Sequence, residues 1–470
     1  MSSTQQTRNK VTDTVMEIKM PNKRHPSILF KPNIDLQYKK NTLYTCLLKI
    51  LSVVTSFIIV PITIDFVNAE NYGIWLTLSS MVTWISFFDL GLTNGLRNKL
   101  TEAISLQKYK LAKTYISTSY ALLFGIFFIL WLIITLTMPY LNWVEILKVS
   151  TTNAPNISQA FIIIFSYFCL SFVLKIINIV LFADQRAAMA SLIDVSGQVV
   201  ALIVIYSLTL VTKGSLLLLC ICLCMTPLIV TILFSIFLYR GKYKKLSPSI
   251  KYIKIKHIKP LFNTGSKFFI IQIATIIQYQ MSSFIIARNL GMNEVTDFNI
   301  AYKYFGVLTM AITILLLPFW SAATDAYTRQ DFMWLRNKIK QYIKCVLLLT
   351  ITGIIMYVCS GQLYYVWLKE RIDISTTLSF WAMLYNIICV FSHPFVTLLN
   401  GIGAITIQLY VSLISPLLFI ITATLLVQNT SLGASAVLIA SIISNFYGFI
   451  IAPIQYRQVI IKHKKGIWIK

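Results

Sequence analysis

Acidic residues are scarce in this chain, 16 of 470 against 41 Lys and Arg, and histidine is scarcer still at four. No spacing of His, Cys, Asp or Glu matches a metal site. The phosphate-cradling pattern G-x-x-x-x-G-K-[ST] does not occur, which excludes a P-loop ATPase. Only 12% of residues are charged, while 57% are hydrophobic and the mean hydropathy is +0.73. A soluble domain cannot hide that much apolar surface, so the class is membrane protein. The eight cysteines fall inside apolar runs. Among them, the C-x-C-x-C at 220–224 sits between Leu and Ile without a His or carboxylate nearby, and reads as small packing residues. No cofactor is expected.

What the chain has in abundance is long apolar runs. Read for stretches of about 20 apolar residues, it yields twelve segments, near 43–67, 72–92, 115–138, 160–183, 188–212, 214–238, 266–287, 299–323, 345–361, 376–399, 406–428 and 433–456. The ninth is short. The runs do not alternate apolar and polar residues, so they predict helices rather than barrel strands. The basic residues set the orientation. With the N-terminus cytoplasmic, 32 of the 41 Lys and Arg fall in inner segments. The outer loops then hold only Lys148, Lys213, Arg288, Lys369 and Arg371. Both termini are therefore expected inside. The net charge of +25 becomes a charge of the cytoplasmic face, suited to anionic membrane lipids rather than nucleic acid. The first apolar run begins too late for a secretory signal peptide.

The longest inner loop, "YRGKYKKLSPSIKYIKIKHIKP" at 239–260, divides the chain into two groups of six spans. The expected organisation is a basic cytoplasmic tail over 1–42, a six-helix lobe over 43–238 and a linker over 239–261. A second six-helix lobe follows over 262–456, then a tail over 457–470. Six is even, so both lobes enter the membrane the same way, as parallel repeats. "NAENYGIW" (68–75) is echoed by "EVTDFNIAY" (294–302), and "LRNKL" (96–100) by "LRNKI" (335–339).

The stretch "FFDLGLTNGLRNKLTEAI", 87–104, begins as a membrane helix and ends charged. Gly91 and Gly95 form a G-x-x-x-G step that lets another helix backbone come close. Beyond it, Leu96, Leu100 and Ile104 share one face while Arg97, Thr101 and Lys108 face elsewhere, predicting an amphipathic helix on the inner membrane surface. Two readings stand. The basic residues are either a topological anchor, or a mouth where Arg97 and Lys99 meet an anionic headgroup with Asp89 holding Arg97. A guanidinium matches phosphate oxygens in a two-pronged fork.

Charges within spans need a reason, since a bilayer-centred Lys costs about 2.5–3.5 kcal/mol. Lys49 and Lys267 lie near the inner ends of spans one and seven, and Lys303 near the outer end of span eight. Each can reach the interface by snorkelling. Lys175 and Asp194 lie deeper and level in the hairpin of spans four and five, which predicts an ion pair that is either a structural latch or a coupling switch. Pro61, Pro227, Pro318, Pro394, Pro416 and Pro453 interrupt spans and predict bends. His393 beside Pro394 reads as a satisfied bundle histidine.

The 87–104 stretch resembles the signature of bacterial lipid-linked oligosaccharide flippases, the O-antigen and capsule type of the multidrug/oligosaccharidyl-lipid/polysaccharide exporter superfamily. "FNIAYKYF" (298–305), "LPFWSAATDAY" (317–327), "TLLNGIG" (397–403) and "KKGIWIK" (464–470) are similar as well. The resemblance implies an all-α polytopic protein of the bacterial inner membrane, with two six-helix lobes around a cavity lined by helices one, two, seven and eight. It implies an undecaprenyl-diphosphate-linked glycan as cargo and polysaccharide polymerase machinery as a further partner. Lys49, Lys267 and Lys303 would then face the cavity and form with Arg97 a cationic path for the diphosphate, with Asp89, Lys175 and Asp194 in gating or coupling to a proton or sodium gradient.

Two other functions compete. A cation-coupled drug or metabolite exporter would favour acids at its site, whereas bases outnumber acids within these spans. A membrane polysaccharide polymerase would need a large external loop bearing acids or arginines, and 139–159 offers only Glu145 and Lys148.

Overall fold

The computed structural model describes residues 34–67, 71, 72, 74, 75, 77–79, 82, 91–140, 154–368 and 374–469. The bundle comprises Tyr38–Lys470; residues before it form a separate unit, of which only the first turn of α1 is described. Among the described residues the regular structure is helical, without a strand. The first half contains α1 (Ile34–Val67), α2 (Leu92–Ser105), α3 (Tyr109–Thr137), α4 (Ala154–Leu174), α5 (Ile176–Ala183), α6 (Ala187–Thr209) and α7 (Leu216–Arg240). The second contains α8 (Ile258–Asn289), α9 (Met292–Thr328), α10 (Phe332–Val358), α11 (Ser360–Leu368), α12 (Thr376–Ile402), α13 (Thr406–Asn429), α14 (Ser435–Ser444) and α15 (Ala452–Tyr456).

Among the described residues, ten helices are long and apolar enough to cross a membrane, and the pair Ser435–Ser444 with Tyr447–Ile461, bent by 45°, makes an eleventh. Hydrocarbon cannot hydrogen-bond a bare backbone, so such runs must close their bonds internally as helices. Their outward faces carry large apolar side chains, among them Phe237, Leu348 and Val358, which lipid would cover. The expected second span, 72–92, lies largely outside the described residues. Its described members Ile74, Leu78 and Val82 recur at helical spacing and are buried. The ninth span is longer than its apolar run: α10 starts at Phe332, with Lys338 buried and lying over the Trp334 ring.

Buried apolar residues form separate cores. One, around Phe127 and Phe165, draws only on residues between Ile74 and Leu246, with a small satellite near Phe66. The other, around Phe305, Phe319 and Phe419, draws only on Met281–Ile469. Each half has two tight turns of one kind, in which a residue of positive φ follows a helix end. These residues are Gln107 and Gln185 in the first half, and Gln330 and Gly403 in the second. In each turn the next residue's N–H reaches back to a carbonyl five residues earlier, as Arg186 does to Leu181 and Asp331 to Ala326. These turns also expose a false echo. "LRNKL" precedes the Gln107 turn on α2, whereas "LRNKI" follows the Gln330 turn on α10, so the two strings do not occupy matching places.

The basic connections expected on one side gather at one end of the bundle. Asn41 donates to the Gln185 carbonyl, Gln185 to Asp325, and Tyr243 to Asp184. Arg336 caps the carbonyl of Ile460. At the opposite end, Gly214 packs so tightly on the Phe66 carbonyl that no Cβ would fit, and Gln428 reaches Asn289.

Candidate functional site at the lobe interface

A cavity of about 490 Å³ lies among α1, α4, α5, α6 and α7 and is closed on one side by Thr313, Ile314 and Leu317 of α9. Thus the first lobe builds it and the second completes it. Pro318 has no N–H to donate to the Ile314 carbonyl, which roughens α9 where it faces the cavity. Opposite, Pro227 of α7 packs on Gly197 of α6, and Pro227 itself lines the space. The polar lining includes Lys49, Lys175, Asp194 and Tyr167, with Ser52 donating to Gln198 at 2.7 Å. Two ammonium groups therefore share one open space with one carboxylate.

Lys175 sits at the joint between α4 and α5, its own N–H still bonded to Ser171. It does not form the expected ion pair. Asn178 instead donates to Asp194 at 3.0 Å, and no ion pair links Lys175 to Asp194. The hairpin register is one turn off the level placement, so the amide meets the acid and the ammonium is left to the cavity.

Arg97 lies just beyond this space. It is buried, at 7% exposure, and two of its five N–H donors meet neutral groups of the other lobe: Nε to Ser321 Oγ and Nη2 to the Leu317 carbonyl, both at 2.8 Å. Its guanidinium stacks 4.8 Å from the Phe182 ring and 5.3 Å from that of Trp320. Phe182 and Leu317 also line the cavity, so Arg97 backs the cavity wall and bridges the lobes. Expected as a surface helix, α2 is instead enclosed: Asn98 and Thr101 are buried along with Leu96 and Leu100. Tertiary contact overrides its amphipathic pattern, because α2 packs against both lobes. Gly91 makes this possible. At its positive φ, a Cβ would meet the Gly265 carbonyl at 2.1 Å, which is the close helix approach that the glycine step predicts. Asp89, the expected partner of Arg97, lies outside the described residues.

More bonds cross beside Arg97. Asn98 donates to the Asn400 carbonyl and accepts from Trp320, both at 2.7 Å. Asp325 accepts from Ser105 and from Gln185 of the first lobe, and from Arg329 on its own helix. The sequence alone does not single out Asp325, Asn98 or Gln185; "LPFWSAATDAY" contains the acid, but nothing in the string announces its partners. Lys267 and Lys303 stand apart. Lys267 donates to Thr406 at 2.9 Å within its own lobe, Lys303 is exposed near the start of α9, and neither lines the cavity. Lys99 pairs with Glu102.

A family described as "Polysaccharide biosynthesis protein" matches residues 38–324. A Yersinia pseudotuberculosis protein named for O-antigen export is 22% identical over 309 residues, 63% of this chain and 67% of that one. A Salmonella typhi protein named as an O-antigen transporter is 21% identical over 331 residues, 69% and 72% of the two chains. Among solved structures, a MATE transporter in its bent conformation superposes with a TM-score of 0.76 at 15% identity, covering 90% of this chain and 96% of that one. An outward-facing multidrug resistance MATE transporter of the MOP superfamily gives 0.72 at 15% identity, with 91% and 97% covered. The fold is thus the two-lobed MATE fold, and the chain belongs to the polysaccharide biosynthesis protein family.

Proposed function

We propose that this chain is a flippase for undecaprenyl-diphosphate-linked oligosaccharide repeat units, moving them from the cytoplasmic to the outer leaflet of the bacterial inner membrane for O-antigen or capsule assembly. The observation that carries this reading is the interlobe cavity with two open ammonium groups, Lys49 and Lys175, against one carboxylate. A diphosphate needs more than one cation in a low-dielectric space, because its charges lose hydration there. The volume of about 490 Å³ is in the range of small-ligand pockets. It suits a diphosphate with its first sugars, while the prenyl chain stays in the bilayer. Hydroxyls of Thr45, Ser191 and Thr231 and the Gln198 amide offer bonds to sugar.

Arg97 enters this mechanism as a closure rather than a receptor. Six hydrogen bonds, centred on Arg97, Asn98 and Asp325, cross between the lobes at the basic end. Breaking them would open the cavity toward that side, and the same bonds re-forming would shut it. Inside-negative potential favours the export of an anion by roughly 2.3 kcal/mol per charge at 100 mV. Asp194, bonded to Asn178 and open to the cavity, is the group through which a proton or sodium gradient would couple.

The test is a leaflet-accessibility assay on lipid-linked oligosaccharide in proteoliposomes. Protein-dependent appearance of the glycan in the opposite leaflet is expected, and should fall when Lys49 and Lys175 are both neutralised. Glycan movement equal to that of empty vesicles, with folded protein present, would sink the reading.

A further inference from the structure

The linker between the lobes is neither a loose tether nor a merely basic one. It leaves α7 at Arg240 and returns to the next candidate span at Gly265, so both of its ends sit where helices leave the bilayer. Between them the chain is pinned to the first lobe. The Ser249 N–H donates to Ser117 Oγ at 3.0 Å and the Lys254 N–H to Thr118 Oγ1 at 3.1 Å, both hydroxyls being buried in α3. Lys113 lies over the Tyr252 ring at 4.8 Å. Tyr243, buried, donates to Asp184 at 2.6 Å; burial, then the neighbouring carboxylate, pushes its phenol well above the ordinary value, so it remains a donor.

Tyr243 and Leu246 turn inward into the first-half core, yet further along, the segment does the reverse. Ile250 is 87% exposed and Ile255 81%, with Lys251, Lys254 and Lys256 exposed between and beside them. Apolar side chains alternating with ammonium groups, at the depth where helices leave a membrane, match one environment. Isoleucine side chains enter the acyl boundary while lysines meet headgroup phosphates.

We propose that the pinned linker is a lipid-binding element that inserts Ile250 and Ile255 into the facing leaflet and gathers anionic phospholipid through Lys251, Lys254 and Lys256. It anchors the joint between the lobes to the membrane surface, so that lobe motion takes place about a fixed interfacial point. This rests on the chain spanning a membrane and not on the identity of its cargo.

The full-length protein, with its native cysteines replaced, would carry Ile250→Cys or Ile255→Cys labelled with an environment-sensitive fluorophore. A Lys465→Cys control marks an exposed site on the same face. In vesicles of phosphatidylcholine with phosphatidylglycerol, blue-shifted emission is expected at 250 and 255 and water-like emission at 465. Headgroup-proximal spin-labelled phosphatidylglycerol should quench the two linker labels several-fold more than spin-labelled phosphatidylcholine does. Each lysine near an anionic surface is worth about a fivefold enrichment, so replacing Lys251, Lys254 and Lys256 with Gln should bring that ratio to about one. Water-like emission at both linker positions overturns the proposal, and so does a quenching ratio unmoved by the lysine changes. Blue-shifted emission in native membranes with water-like emission in vesicles also overturns it, and would assign the patch to a protein.

Discussion

Arg97 and the Lys49–Lys175 pair lie on the two sides of one wall, and their surroundings could hardly differ more. Arg97 is buried, stacked between two rings and bonded to uncharged acceptors of the other lobe. The two lysines stand in an open cavity, and neither is ion-paired. A cation tied by hydrogen bonds to the other lobe holds things together; a cation without an ion pair in an open cavity waits for an anion. The comparison separates a closure from a receptor, although both are basic residues of the same lobe. It can be broken by substitutions that move one side and not the other, read as interlobe distance between spin labels at positions 108 and 329, both exposed at the basic end.

The largest loss of closure is expected from Gly91→Val. Its backbone is left-handed and its Cβ would meet the Gly265 carbonyl at 2.1 Å. Strain and overpacking together cost about 2–5 kcal/mol, so the distance distribution should shift to the open form or the folded yield should collapse. Gly125→Ala, where nothing lies within 4 Å, is the control and should leave both unchanged. An unshifted distance in Gly91→Val would mean that α2 and α8 do not meet there.

Arg97→Ala comes next. It removes two charge-assisted bonds across the lobes from a buried site, for about 2–4 kcal/mol. Arg97→Lys keeps the charge but cannot reach both acceptors in the guanidinium's fork, so an intermediate shift is expected. Asp325→Asn should open the gate less, by about 1–2 kcal/mol, because an amide oxygen still accepts from either Ser105 or Gln185. Equal populations in Arg97→Lys and wild type would reduce Arg97 to an anchoring charge.

What the sequence announces and what it conceals divide along the same wall. A glycine step, a lysine deep in an apolar run and a proline each carry a local cost visible in the string. Gly91, Lys49, Lys175 and Pro318 were accordingly legible. Arg97 was legible as special but its partners were not, since they lie more than 200 positions away and are a hydroxyl and a backbone carbonyl. Asp325 and Gln185 passed unnoticed for the same reason: an acid near a helix end looks solvated until the other lobe is in place. The Lys175–Asp194 pairing failed by one helical turn, because counting from the hairpin centre cannot fix register that closely, and a polar Asn178 was available to take the contact. Apart from the second span, which lies largely outside the described residues, and the early start of the ninth, span positions survived such errors since they depend on length and hydropathy, which average over some twenty residues.

The smallest effect on closure, and the sharpest test of the contrast, is expected from the cavity lysines. Neither Lys49 nor Lys175 bonds across the lobes, so Lys49→Ala and Lys175→Ala should leave the 108–329 distance at its wild-type value. Asp194 feels the charge of both lysines and keeps its bond from Asn178, so neither single change leaves the carboxylate bare, and folded yield should hold. Transport should nonetheless fall, because each ammonium to an anionic oxygen is worth about 1.5–3 kcal/mol, or roughly tenfold and more in binding. Surface glycan display, normalised to membrane protein level, would measure it. Exchanging the charges, Lys175→Asp with Asp194→Lys, separates a receptor from a latch. A latch would be restored by the exchange, whereas here Asn178 would lose the carboxylate it donates to and face an ammonium instead. The exchange should therefore be no better than either single change. Recovery of display in the double variant would return Lys175 and Asp194 to a structural pair and leave Lys49 the lone candidate for the diphosphate.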